Sequence, residues 1–144
     1  MKKLVIAIVC GLALFAFYQH NPVLRGPTPQ QAAANDQLLA DAFQHRRSDL
    51  QVRGEGTVVR ILPDDNDGSR HQKFILRLAS GQTLLVAHNI DLAPRIPNLR
   101  EGDKVAFSGE YEWNAKGGVI HWTHHDPQGR HTDGWLKHDG HFYQ

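Results

Sequence analysis

The chain has 144 residues, a formal net charge of +1 and a sequence pI near 8.0. That length accommodates one domain and an N-terminal appendage. No basic block is longer than Arg46-Arg47, which excludes the clustered Lys and Arg of a general duplex-binding surface and disfavours nucleic acid as a partner. The one cysteine, Cys10, lies in the N-terminal apolar stretch, so the rest of the chain offers neither a disulfide nor a thiolate metal site.

Lys2 and Lys3 precede an apolar and small-residue run from Leu4 to Tyr18. As a helix, that run spans about 22 Å at ~1.5 Å per residue, short of the ~30 Å hydrocarbon core of a bilayer. It reads as the hydrophobic part of an export signal. Phe15-Ala16-Phe17 places aromatics where a cleavage site wants small residues. Residues 1–21 are therefore expected to be a signal peptide or an uncleaved inner-membrane anchor. The chain is expected in the periplasm or anchored facing it, with secretion the remaining outcome. Cys10 follows Val9 rather than the small residue a lipoprotein acceptor needs, and reads as part of the apolar run.

Residues 22–49 are expected to form a spacer and an amphipathic helix. Thr28-Pro29-Gln30-Gln31 is a helix start, with a capping Thr, a Pro in the first turn and a Gln three residues after the cap. Ala32, Leu38, Leu39, Ala42 and Phe43 follow at helical spacing, predicting a helix over 29–46.

From Leu50 the pattern turns to strands. Val52–Leu62 is a long strand whose Gly54 and Gly56 permit bending. Pro63 through Gly68 is a turn dense in Asx residues; it lacks the spacing and terminal Glu of a calcium loop. His71–Leu78 alternates Phe74, Leu76 and Leu78 with Lys73, Ile75 and Arg77, and Ser80-Gly81-Gln82 turns it into a strand over 83–88. A two-proline connection over 89–100 leads to a strand over Lys104–Trp113, with Val105, Phe107 and Tyr111 on one face. Asn114 through Gly118 makes a hairpin into a strand over Val119–Thr123, where Trp122 shares a face with Ile120 and is expected in the core. The expectation for residues 50–144 is a mainly β fold, a small five-stranded OB-like barrel with a His-rich C-terminal segment.

Six of the ten histidines lie at or beyond His121, interleaved with Asp126, Asp133, Asp139, Trp122 and Trp135. Imidazole is the side chain suited to bind a transition metal or move a proton near neutral pH. Residues four apart on a strand stand about 13 Å apart, so His121 and His125 do not share an ion on a straight strand. Pro127 is expected to turn the chain at Asp126, gathering His124 or His125 with Asp126 and His131, and with His71 and His88 from strand ends. A mixed imidazole and carboxylate set suits a zinc-like divalent metal. If the site is hydrolytic, His124 and His125 are the catalytic candidates and the substrate a phosphodiester or similar, with Arg70, Lys73 and Arg130 holding its negative charge. If the barrel is a binding module, His88, Asn89 and Asp91 join those cations on the ligand surface. Metal sequestration through the histidines is the third reading, and a polar network without metal the fourth. His138 and His141 are expected to lie loose near the C-terminus.

The segments LPDD, RHQKFIL, LASGQTLLVAHNIDLAPRI, GEYEWN, GGVIHWTHHDP and GRHTDGWLKHDG resemble an uncharacterised family of short bacterial envelope proteins, domain of unknown function 3465. The resemblance covers roughly residues 50–144 and is carried by HWTHHDP. It implies an exported bacterial protein with an OB-like domain; from the reading as an envelope binding module, an envelope ligand or protein is the expected partner. It implies no reaction.

Overall fold

A computed structural model describes Leu12, Ala16, Phe17 and residues 28–144. Most of the expected export or anchor segment and of the spacer lies outside the described residues. No described helix is long and apolar enough to cross a membrane.

The chain is mainly β with one long helix, α1 (Pro29–Gln44), followed by β1 (Leu50–Asp65), β2 (His71–Arg77), β3 (Thr83–Asn89), β4 (Lys104–Glu112), β5 (Val119–His121), β6 (Trp135–His138) and β7 (His141–Tyr143). The capping box forms as expected: Thr28 Oγ1 accepts from Gln31 N–H while the Gln31 side chain accepts from Thr28 N–H. Leu39 and Ala42 are fully buried and belong to the common core. Asp36 accepts from the Ser80 amide at 3.0 Å, and Trp113 Nε1 donates to the Phe43 carbonyl at 3.1 Å. The helix is thereby fixed at its middle to the β2–β3 turn and at its C-terminal end to the residue that follows β4.

All seven strands form one sheet in the order β1-β2-β3-β5-β4-β6-β7, and β1 also pairs with β4. Five strands, β1, β2, β3, β5 and β4, thus pair in a ring. β1 reaches both neighbours because it bends. Leu50–Thr57 pairs with β4 and Thr57–Asp65 pairs with β2. Gly54 lies opposite Phe107, where an added Cβ would stand 2.6 Å from the ring. The missing side chain at the bend is what lets that aromatic fill the interior.

Alternation decides what faces in. Phe74, Leu76, Leu84, Val86, Val105, Phe107, Tyr111 and Ile120 are all fully buried. The opposite parity, His71, Lys73, Ala87, Glu110, Glu112, Val119 and His121, occupies the outer face. Three elements differ from expectation, the first being β1, which runs on through Pro63–Asp65 into the expected turn. The last ring strand ends at His121 rather than Thr123, and residues 135–143 form a β6–β7 hairpin attached to β4. His138 is accordingly buried and lies 3.0 Å from Asp103 Oδ2, which overturns the loose C-terminus for that residue; His141 is exposed.

Candidate functional site

The loop over 122–134 leaves β5 and returns as β6 on the same edge of β4. Its path is set by Trp122, whose backbone is left-handed at φ 52, an uncommon state for a bulky residue. That one residue shifts the alternation. Thr123 and His124 enter the interior, while Trp122 is half-buried on the outside instead of joining Ile120. The loop closes at Gly134, whose amide donates to the His124 carbonyl at 3.0 Å. A Cβ there would meet the Trp122 carbonyl oxygen at 1.9 Å, so only glycine fits the crossing.

Asp126 organises the loop from within. Its Oδ1 accepts from the Gln128 amide at 2.9 Å, and its Oδ2 accepts from the Arg130 and His131 amides at 2.7 and 2.8 Å. These backbone donors hold its carboxyl below the usual carboxylate range. Asp133 accepts from the Asp126 amide and faces His125 Nδ1, both at 2.9 Å, and its carboxyl is lowered in the same way.

The histidines and carboxylate expected to share a metal go to different places. His88 is fully buried inside the ring, with Nε2 3.0 Å from the Pro94 carbonyl and Nδ1 2.8 Å from Thr123 Oγ1. A carbonyl only accepts, so Nε2 carries the proton and Nδ1 accepts from the hydroxyl. Burial, reinforced by His124 and His71 and opposed by the Pro94 hydrogen bond, lowers its pKa to about 4. His124 is buried, with Nδ1 donating to the His125 carbonyl at 2.7 Å. His125 is exposed beside Asp133. His71 stands at the start of β2 on the outer face.

His131 does reach the outer face of the ring. It stacks on Trp122 with ring centroids 4.0 Å apart and planes 7° from parallel. Its Nε2 lies 2.7 Å from Glu110 Oε2 and its Nδ1 2.8 Å from the Thr132 carbonyl. Both ring nitrogens therefore meet acceptors, which favours the doubly protonated cation. Burial pulls the pKa down, but the Glu110 and Thr132 hydrogen bonds and the charges of Glu110 and Asp126 outweigh it, and the net shift is upward.

The expected ligand-binding residues divide likewise. Arg70 binds Asp91 through its amide at 2.8 Å and its Nε at 2.7 Å, and Asn89 Oδ1 accepts from the Asp91 amide at 2.9 Å. The three form a clasp between the loops flanking β2 and β3. Arg130 is exposed on the 122–134 loop. Lys73 and His71, by contrast, line a cleft of ≈ 320 Å³ with Asp65, Ala87, Glu112, Val119 and His121.

Next to that cleft, among the described residues, the donor atoms of Glu110, Glu112 and His121 lie within 4.8 Å of one another. His121 was not among the sequence candidates, nor were the two glutamates. Their signal was present: Tyr111 faces inward, so its neighbours on β4 face outward together. What the strand pattern lacked was the β4–β5 register, which sets Glu110 opposite His121 and Glu112 opposite Val119.

A family model described as Protein of unknown function (DUF3465) matches residues 24–144. No curated protein matches the chain.

Proposed function

The chain belongs to the DUF3465 family, whose description assigns no activity, and we propose a function from the geometry: an exported, OB-like barrel that binds an extended peptide-like ligand of the bacterial envelope. The ring order with its closing β1–β4 pair supports the OB-like reading, since such barrels take extended ligands across the face of their second and third strands. The observation that carries the proposal is the cleft on that face. Ala87 and Val119 supply an apolar floor, Lys73 a cation, and Asp65 and Glu112 anions. A lining of aliphatic and mixed charged groups suits a peptide backbone with charged side chains better than stacked bases, which need aromatic platforms.

Hydrolysis is the weaker reading. His124 is buried with Nδ1 bound to a neighbouring carbonyl, and His125 stands outside the cleft's lining. The test is a peptide array probed with the full-length chain in mild detergent, alongside single-stranded oligonucleotides. Peptides of mixed charge are expected to bind, and Ala87→Trp, which fills the floor, to abolish that binding. Tight oligonucleotide binding that falls steeply with salt, or peptide binding indifferent to Ala87→Trp, would overturn the reading.

A further inference from the structure

We propose that Glu110, Glu112 and His121 form a binding site for one first-row divalent cation of the zinc type on the outer face of the ring. The first support is donor chemistry. One imidazole and two carboxylates are the mixed nitrogen and oxygen set that zinc and its neighbours accept. The second is spacing. His121 Nε2 lies 3.3 Å from Glu110 Oε1 and 3.7 Å from Glu112 Oε1. Donors ~2.1 Å from a tetrahedral zinc stand about 3.4 Å from one another.

The third support is an unsatisfied atom. His121 Nε2 is buried and, among the described residues, has no hydrogen-bond partner despite the two nearby carboxylates. Both oxygens are within ion-pair distance, and neither is aligned to accept an N–H. The nitrogen either turns a lone pair toward two anionic oxygens or points a proton between them. A cation among the three atoms satisfies all of them at once. Glu112 sharpens the point, because its one ion-pair neighbour among the described residues is that same ring.

Glu110 is already oriented for the role. His131, stacked on Trp122, binds Glu110 Oε2 at 2.7 Å, leaving Oε1 turned toward His121. A hydrogen-bonded partner of this kind fixes the direction of a ligating carboxylate. His131 is thus a positioning residue and not a ligand. Glu112 and His121 also line the cleft, so a fourth ligand would come from that side. The site stands without any assumption about what fills the cleft.

The experiment uses the full-length chain in mild detergent, stripped with chelator and titrated calorimetrically with Zn²⁺ alone. Co²⁺ absorption serves as a spectroscopic readout of low coordination number. One equivalent is expected to bind per chain. Glu112→Gln, which keeps shape and removes charge, and His121→Ala should each weaken binding at least ~10-fold, and His131→Asn by about 10-fold. His125→Ala should leave the titration unchanged. Circular dichroism on each variant confirms folding, and Glu112→Gln carries the test should His121→Ala unfold. Absence of stoichiometric binding in the native chain overturns the site. So does binding that survives Glu112→Gln and His121→Ala or vanishes in His125→Ala. Because no peptide enters this titration, its failure leaves the peptide-binding reading standing, and a failed peptide array leaves the cation site standing.

Discussion

His131 Nε2 and Glu110 Oε2 meet at 2.7 Å, joining the histidine-rich loop to the outer face of β4. The shift in His131 has a sign that can be tested. Its folded pKa is above the ordinary value, despite the lowering effect of burial, because of its hydrogen bonds and the nearby negative charges. The stability it contributes is fully present below the unfolded value of roughly 6.5 and is lost as pH rises through the folded value. An NMR titration should show the His131 ring titrating above the ordinary histidine value of roughly 6.5. Glu110→Gln should move it down, and an unchanged titration in that variant would remove Glu110 as the cause.

His88 runs the opposite way. Its pKa is pushed down to about 4, chiefly by burial. Below roughly pH 6.5 the unfolded ring takes up a proton that the folded ring refuses. Stability present above 6.5 is therefore lost as pH falls toward 4, by about 3 kcal/mol for a shift of this size. Urea denaturation between pH 7 and pH 4.5 should record most of that loss. In His88→Gln the pH slope should flatten, even though the variant starts about 1–3 kcal/mol lower at pH 7 from imperfectly matched hydrogen bonds to Thr123 and Pro94. An equally steep slope in the variant would assign the acid sensitivity elsewhere.

How far such features could be read in advance depended on whether alternation was interrupted. Phe74 with Leu76, and Val105 with Phe107 and Tyr111, point inward as their spacing predicts, and His88 shares parity with Leu84 and Val86. The Thr28–Gln31 cap started the helix where expected. The pattern fails at Trp122, because no spacing rule anticipates a left-handed tryptophan, and Trp122 and Thr123 do not take the faces that alternation from Ile120 assigns them. That change turns Trp122 outward and brings Thr123 inside, where its Oγ1 meets His88 Nδ1. The β6–β7 hairpin carried a signal in Asp139-Gly140, the dipeptide of a tight turn, but its strands of four and three residues are too short for periodicity to stand out. The Glu110–Glu112–His121 grouping needed register between strands, which alternation within one strand does not contain.

The bend in β1 gives a stability test that isolates one contact. An alanine Cβ at Gly54 would sit 2.6 Å from Phe107 Cζ, in a fully buried ring with little room to yield. Gly54→Ala should destabilise by about 1–3 kcal/mol, the usual cost of overpacking. Phe107→Leu opens space at the same point, so the double variant should be more stable than the sum of the single losses. Chemical denaturation of the four proteins measures that coupling. Additive losses would show that Gly54 matters for backbone freedom and not for the room it leaves to Phe107.

Asp126 separates the order of the loop from the order of the ring. Its carboxylate collects three backbone amides, from Gln128, Arg130 and His131, and all of these contacts lie within the loop. The ring strands are held instead by ladder pairing and an apolar core to which Asp126 contributes nothing. Asp126→Ala should therefore raise amide hydrogen exchange across residues 125–133 while leaving β1–β4 protection unchanged. Loosening the loop also frees His131 from its stack on Trp122. The His131 pKa should then fall toward its ordinary value in the same variant, as its hold on Glu110 weakens and the Asp126 charge is lost. If exchange rises equally in the ring strands, the loop and ring form one cooperative unit, and Asp126 supports the fold rather than the placement of His131.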